Sequence, residues 1–227
     1  VSEYEKIFYT QEAYLDANAD ILKLLIAPLY GDEPSYGVRE ILQNAVDACR
    51  EREKIEKDRD GNYKGEVVVS LDTEQKMMVF TDNGIGMNID IIKRYYLIAG
   101  ASYRRSEAWS KEFVGLDGNA KVLRNGKFGI GVLATFLLGD KAEVITRSYK
   151  EKKGWKFSIQ LDQDNIDIVR IDTEIGTKIS INVTDKTINK LEKDHSWNCC
   201  NWKEWYEGNN PSVIYKVDGK IKNSNSF

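Results

Sequence analysis

Glu40, Asn44 and Asp47 are spaced so that a helix carries them on one face, opposite Val38, Ile41, Leu42, Ala45, Val46 and Cys49. A carboxylate, an amide oxygen and a second carboxylate one turn apart can hold a hydrated Mg²⁺ and orient a water for attack. Spacing alone leaves a solvated polar face as the alternative. A second cluster, Asp82-Asn83-Gly84-Ile85-Gly86-Met87, follows directly on a strand-like run. Asn83-Gly84 alone would make a hairpin turn. No strand returns at once, however, and a helical stretch at 89–96 follows, so the glycines stand at a strand-to-helix junction where a ligand can approach the backbone. Asp82 at such a strand end can accept a hydrogen bond from the exocyclic amine of a base. A third cluster, Gly126-Lys127-Phe128-Gly129-Ile130-Gly131, opens an apolar helix at 132–138. Glycines there admit a phosphate to the helix N-terminus and its unpaired N–H groups. Gly129 to Ala134 also satisfies the dinucleotide pattern G-x-G-x-x-A. The context fails, because no long strand precedes Gly129 and a run of strands, not strand-helix units, follows.

The elements that must position these residues are legible as periodic segments. Thr10 can cap a helix over 10–29 with Leu15, Leu22, Leu25, Ile26 and Leu29 inward. A second helix opens with Pro34 in its first turn and runs to about Arg59, where Asp60-Gly61-Asn62 stops it. Runs at 66–71 and 77–81 predict a hairpin, and 141–149, 156–161, 166–171 and 178–183 alternate as sheet strands. The stretch 99–127 is charged, glycine-punctuated and without sustained periodicity, which is the character of a lid or a disordered loop. A helix-rich first half before a strand-rich second half predicts an α+β, two-layer sandwich with helices on one sheet face. Beyond Thr184 the composition shifts to Trp197, Trp202, Trp205 and Tyr206, then a short strand at 212–217. Those aromatics suit a local packing cluster better than a partner surface. The expected division is a principal domain at 1–184 and, at 185–227, either its extension or the start of another domain.

Bulk properties narrow the function classes. A chain of 227 residues with 41% apolar and 30% charged residues is long enough to bury about 70% of its unfolded surface. A net charge of -3 argues against nucleic acid held by bulk electrostatics. No apolar run reaches the ~18 residues of a membrane span, and residues 1–10 are too polar for a signal peptide. The chain therefore reads as soluble and cytoplasmic, with no membrane partner. Cys49, Cys199 and Cys200 fit neither a disulfide framework nor a zinc site, and read as free thiols.

Taken in order, Glu40-x₃-Asn44-x₂-Asp47, Asp82-x-Gly84-x-Gly86, Gly129-x-Gly131 and Gly176-Thr177 resemble the four boxes of the GHKL, or Bergerat-fold, ATPases. That superfamily includes gyrase, heat-shock chaperones, histidine kinases and mismatch-repair MutL. The similarity is strongest to the nucleotide domain of the ninety-kilodalton heat-shock chaperones and runs over about 4–183, including Arg39 to Ala48, Lys127 to Gly131, Gly139 to Ala142 and Gly176 to Ile179. The resemblance implies a mixed, mainly antiparallel sheet and Mg²⁺-dependent ATP binding and slow hydrolysis. It further implies a lid at 99–126 that closes over ATP or ADP, with homodimerisation and work on a client protein. Carried over by residue, it makes Glu40 the general base and Asn44 the Mg²⁺ ligand, with Asp47 supporting the nucleotide and its water shell. Asp82 takes the adenine amine, assisted by Thr177 through water, with Gly84, Gly86 and Met87 at the base pocket. Gly129, Ile130, Gly131 and Val132 cradle the phosphates.

Departures from that pattern are equally specific. Where the chaperones carry a lysine at the start of the lid, this chain has Gly100-Ala101-Ser102, followed by Arg104 and Arg105. Those arginines either touch phosphate or belong to a solvated charged loop. His195 is the only histidine and lies downstream of the boxes, whereas the kinase members need a phosphoacceptor histidine upstream. A nucleotide-gated interaction module without turnover and a DNA-associated ATPase are the competing expectations. An intact base at Glu40 speaks against the first, and the lack of a basic stripe against the second.

Overall fold

The computed structural model describes residues 33–59, 61–98, 101–114, 122, 131–160, 165–193, 201–206 and 208–222. The helix expected from Thr10 to near Pro28, Asp60, Gly129 and Ile130 of the expected phosphate cradle, His195, Cys199 and Cys200 lie outside the described residues.

Helix α1 (Pro34–Lys57) begins where Glu33 turns its carboxylate onto the Ser35 N–H at 3.3 Å and Pro34 supplies a preset first turn. Its apolar stripe of Val38, Ile41, Leu42, Ala45, Val46 and Cys49 is buried. That stripe lies on β1 (Glu66–Asp72) and β2 (Met77–Asp82), an antiparallel hairpin with Val69 opposite Phe80. Val67, Val69, Leu71, Met78 and Phe80 alternate inward along these strands, which is why a strand period suits them. A short helix α2 (Ile89–Ile91) runs into a π-helical turn at Ile92–Tyr96. A 3₁₀ turn (Tyr103–Arg105) and helix α3 (Glu107–Phe113) follow. Helix α4 (Gly131–Phe136) packs across α1 so closely that a Cβ on Gly37 would stand 2.8 Å from the Ala134 carbonyl oxygen. Gly37 thus seats α4 against α1.

The remaining strands are β3 (Lys141–Arg147), β4 (Gly154–Gln160), β5 (Val169–Ile171), β6 (Gly176–Asn182), β7 (Ser212–Val217) and β8 (Lys220–Ile221). They join the hairpin in one sheet of order β5-β4-β3-β6-β2-β1-β7-β8. Among these pairings β1–β7 is parallel and the others are antiparallel, so the sheet is the expected mixed, mainly antiparallel one of an α+β fold. The order places β6 beside β2, and therefore Thr177 opposite Asp82. No described helix is long and apolar enough to cross a membrane.

The segment 101–114, expected as irregular loop, contains an ordered helix. Ser106 caps α3 by accepting the Trp109 N–H at 3.2 Å, and Trp109 and Phe113, one turn apart, bury their rings together with Val122. Two aromatics in one seven-residue helix are too few to register as sustained periodicity. Helix α5 (Asp185–Glu192) escaped sequence reading for the same reason: only Ile188 and Leu191 mark its buried side. Downstream, Trp202 is fully buried, stands edge-on to Tyr215 with ring centroids 5.8 Å apart, and donates its indole N–H to the Leu191 carbonyl at 3.2 Å. Trp202, in the described part of the aromatic cluster, therefore serves packing, and it lies between α5 and β7.

Candidate functional site

The polar face of α1 is not a solvated face. Glu40 is buried and Asp47 fully so, Asn44 is half-buried, and the stripe continues one turn further to Glu51, which is 1% exposed. Sequence reasoning missed Glu51, although its i+4 offset from Asp47 was the available signal. Buried carboxylates demand partners, and each has them. Arg39 donates to Glu40 Oε1 from Nη2 at 3.0 Å and from Nε at 3.3 Å. The Arg39 guanidinium itself lies against both Tyr36, 4.8 Å from the ring centroid, and Trp205, at 5.3 Å, two rings whose own centroids are 5.9 Å apart. Trp205 thereby connects the C-terminal segment to the carboxylate of Glu40.

Glu51 is held from the other side. Arg104 Nε donates to Glu51 Oε1 at 2.7 Å, Nη2 lies 3.4 Å from Oε2, and the Trp109 indole N–H donates to Oε1 at 2.8 Å. The same guanidinium donates from Nη1 to Asn44 Oδ1 at 3.2 Å and stands 3.9 Å from Asp47 Oδ2. Arg104 is therefore no member of a solvated loop. It is a buried cation tied to three residues of the α1 polar stripe, and those carboxylates hold its pKa above the ordinary arginine value although burial opposes the charge.

At the other wall, the strand end and the glycine turn divide their labour. Asn83 is consumed structurally: its Oδ1 accepts from Tyr63 and from the Glu66 N–H, both at 2.8 Å, and its Nδ2 donates to the Lys64 carbonyl at 2.9 Å. Asp82 Oδ1 accepts the Gly84 N–H at 2.8 Å. Burial pushes the Asp82 carboxyl up to about 7, against the pull of the Gly84 and Thr177 backbone N–H groups and of Arg104. Gly86 has φ +61°, and a Cβ there would fall 1.9 Å from the Arg147 carbonyl oxygen, so glycine is required on both counts. The turn lies on α1, where the Ile85 N–H donates to the Ala48 carbonyl at 3.1 Å.

Thr146 on β3 is a further residue that sequence reasoning missed. Its hydroxyl is 3.0 Å from the Gly176 carbonyl and 3.0 Å from the Thr177 hydroxyl, and it accepts the Met87 N–H at 2.9 Å. A hydroxyl has one proton. Thr146 gives its proton to the carbonyl, so Thr177 must donate to Thr146 and keeps its own lone pairs for another donor. The strand register alone brings these residues together, and no local motif marks Thr146.

One cavity connects the two walls. Glu40, Asn44 and Glu51 line it from α1, Phe80, Asp82, Thr177 and Ile179 from the sheet, Gly86 and Met87 from the turn, and Ala101 to Arg104 from the segment before α3. Asp47 and Gly84 do not line it. Asp47 stands behind the wall with Arg50 3.8 Å away, and Gly84 packs against Ala48. Gly129 and Ile130 lie outside the described residues, and Gly131 and Val132 begin α4. Chemically, the cavity has an apolar floor with a buried acceptor at one end and clustered oxygen ligands at the other. That pairing suits a flat base carrying an amine and a polyanion with its cation. Cys49 is buried away from it, its thiol pushed up to about 12 by burial, so it is an inert core residue.

Comparison with known proteins agrees with this arrangement. A family model described as histidine kinase-, DNA gyrase B-, and HSP90-like ATPase matches residues 33–197. The chain is 34% identical over 148 residues to the chaperone protein HtpG of Aliarcobacter butzleri, covering 61% of this chain and 22% of that protein. It is 31% identical over 158 residues to HtpG of Rhodospirillum rubrum, covering 65% and 24%. With HtpG of Anaplasma phagocytophilum the identity is 30% over 190 residues, covering 81% and 29%. The matched region is thus about a quarter of the length of these curated relatives.

Proposed function

Given that the chain belongs to the histidine kinase-, DNA gyrase B-, and HSP90-like ATPase family, we propose that it binds Mg²⁺-ATP in this cavity and hydrolyses it. The observation that carries this reading is the convergence of Glu40 and Asn44, of Asp82 and of Thr177, from three distant stretches of the chain, on one cavity. Asp82 accepts the adenine amine, and Thr177, its lone pairs left open by Thr146, accepts from a water that bridges to the base. Glu40 takes the proton of the attacking water while Arg39 keeps its carboxylate aimed. A placed base of this kind contributes typically ~10²–10⁴-fold. The backbone of 129–132 takes the phosphates at the start of α4.

The residues fit the magnesium ion that the family implies. Mg²⁺ is bound by one or two protein oxygens together with substrate phosphates and water, and not by an all-protein cage. Asn44 Oδ1 supplies such an oxygen, with Glu40 as a neighbouring hard donor lining the same cavity, and no cluster of three His, Cys, Asp or Glu side chains that could hold a metal occurs among the described residues. When bound, the ion neutralises charge on the phosphates, which is most of what phosphoryl transfer to water requires.

The intact Glu40 favours turnover over a purely nucleotide-gated interaction module, which has no need of a base. In the longer protein this domain acts as the nucleotide switch of an HSP90-like chaperone, with dimerisation and client work driven by the ATP cycle. The segment after Thr184 is an extension of the domain, a reading supported by the pairing of β7 with β1 and the burial of Trp202. Calorimetric titration with ATP and ADP, with and without Mg²⁺, tests the assignment. Asp82→Asn is expected to abolish binding, whereas Glu40→Ala keeps binding and loses hydrolysis. Equal hydrolysis rates in the wild type and Glu40→Ala would overturn the mechanism.

A further inference from the structure

Arg104 occupies the one atom of the α1 stripe to which the metal is assigned. Its Nη1 is 3.2 Å from Asn44 Oδ1, and Nη2 is 3.5 Å from the Asn44 carbonyl. The guanidinium is kept there by Glu51, a carboxylate 1% exposed whose Oε1 accepts from both Arg104 and the Trp109 indole. Arg104 precedes α3 by two residues, and Trp109 is in α3. The pair therefore ties Arg104 and α3 to α1 through contacts that bridge 53 and 58 positions of sequence, while Glu112 of α3 is bonded separately to Tyr149 and Lys150. A magnesium ion coordinates an amide oxygen at about 2.0–2.1 Å. A guanidinium hydrogen-bonded to that same oxygen would stand within a few ångströms of the ion, a like-charge approach in a site partly closed to water.

We propose that Arg104 and the divalent cation compete for the Asn44 amide oxygen, so that the Arg104–Glu51 pair sets how strongly nucleotide binding depends on metal. This rests on the reading of Asn44 as the metal ligand. Without metal, Arg104 supplies the positive charge at Asn44 and the wall formed by Ala101 to Arg104 stays fastened to α1. Metal-nucleotide loading displaces the guanidinium from Asn44, loosens the Glu51 contact, and releases 101–114. Arg104 is in this sense a specificity-determining residue for metal-loaded against metal-free nucleotide.

The test is the ratio of ADP affinities with and without Mg²⁺, measured by calorimetry on the whole chain for wild type, Arg104→Gln and the double variant Glu51→Gln/Arg104→Gln. The double variant removes both buried charges and guards against loss of fold from an unpaired Glu51. Whatever the change in metal-free affinity, the enhancement by Mg²⁺ is expected to rise about tenfold in both variants, a difference of about 1.4 kcal/mol. In the wild type, hydrogen exchange of 101–114 should quicken on Mg²⁺-ADP binding and stay unchanged with ADP alone. Parallel weakening with and without metal would instead make Arg104 a phosphate ligand, and an unchanged ratio would make the pair purely structural; either result overturns the proposal. Asn44→Ala separates the two levels of argument. If that variant keeps the wild-type enhancement by Mg²⁺, the assignment of Asn44 fails and this inference falls with it. If it loses the enhancement while the Arg104 variants leave the ratio unchanged, only the competition is refuted.

Discussion

Replacing Asp82 by asparagine should make the protein's stability less sensitive to a rise in pH from mildly acidic to neutral. Burial raises this carboxyl from 3.8 to about 7 in the folded chain. A group whose folded pKa lies above its unfolded value contributes stability that is complete below the unfolded pKa, and that contribution is lost as pH rises through the folded pKa. The window therefore runs from about pH 4 to about pH 7. By pH 8 the ionised carboxylate costs the folded state about 4 kcal/mol relative to its protonated form, and between pH 5 and pH 8 the change is about 2–3 kcal/mol. Asparagine keeps an oxygen for the Gly84 N–H, now 2.8 Å from Asp82 Oδ1, and does not titrate. Differential scanning fluorimetry of both proteins at pH 5, 6, 7 and 8 in one buffer series reads the effect. The melting temperature of Asp82→Asn minus that of the wild type should rise by about 5–10 °C from pH 5 to pH 8, at about 2–4 °C per kcal/mol for a chain of this size. A difference that stays constant across the series would show that Asp82 is not a buried, reluctantly ionised acceptor.

Gly86→Ala should lower the melting temperature and weaken nucleotide binding together, because the new Cβ would meet the Arg147 carbonyl at 1.9 Å with φ at +61°; a cost of about 1–3 kcal/mol is expected from the backbone conformation alone. Wild-type stability and ADP affinity in that variant would refute the role given to the turn. Trp202→Ala should cost about 3–5 kcal/mol in chemical denaturation, since it empties the space between Tyr215 and Leu191, and a cost under about 1 kcal/mol would mean that the C-terminal segment folds independently of the sheet.

The sequence by itself determined the elements that repeat within a few residues. Helix α1, the β1–β2 hairpin and the four later strands follow from periodicity, because burial on one face imposes a period of 3.6 or 2 on residues adjacent in the chain. Glu40, Asn44 and Asp82 were legible as candidates by another route: the order of their motifs along the chain resembles that of the ATPase family, whereas the spacing within any one motif left a solvated face or a hairpin turn open. Tertiary structure alone decided which polar groups lost water. Glu51 looks like an ordinary helix-surface carboxylate and Arg104 like a loop arginine until α3 folds down, burying Glu51 and pairing it with a mostly covered Arg104. Thr146 becomes a partner of Thr177 only because β3 pairs with β6, and the C-terminal aromatics enter the core only because β7 lies parallel to β1, with Val213 opposite Val67. Such pairings join segments by register and burial, which are properties of the assembled sheet, and no local stretch of chain carries them.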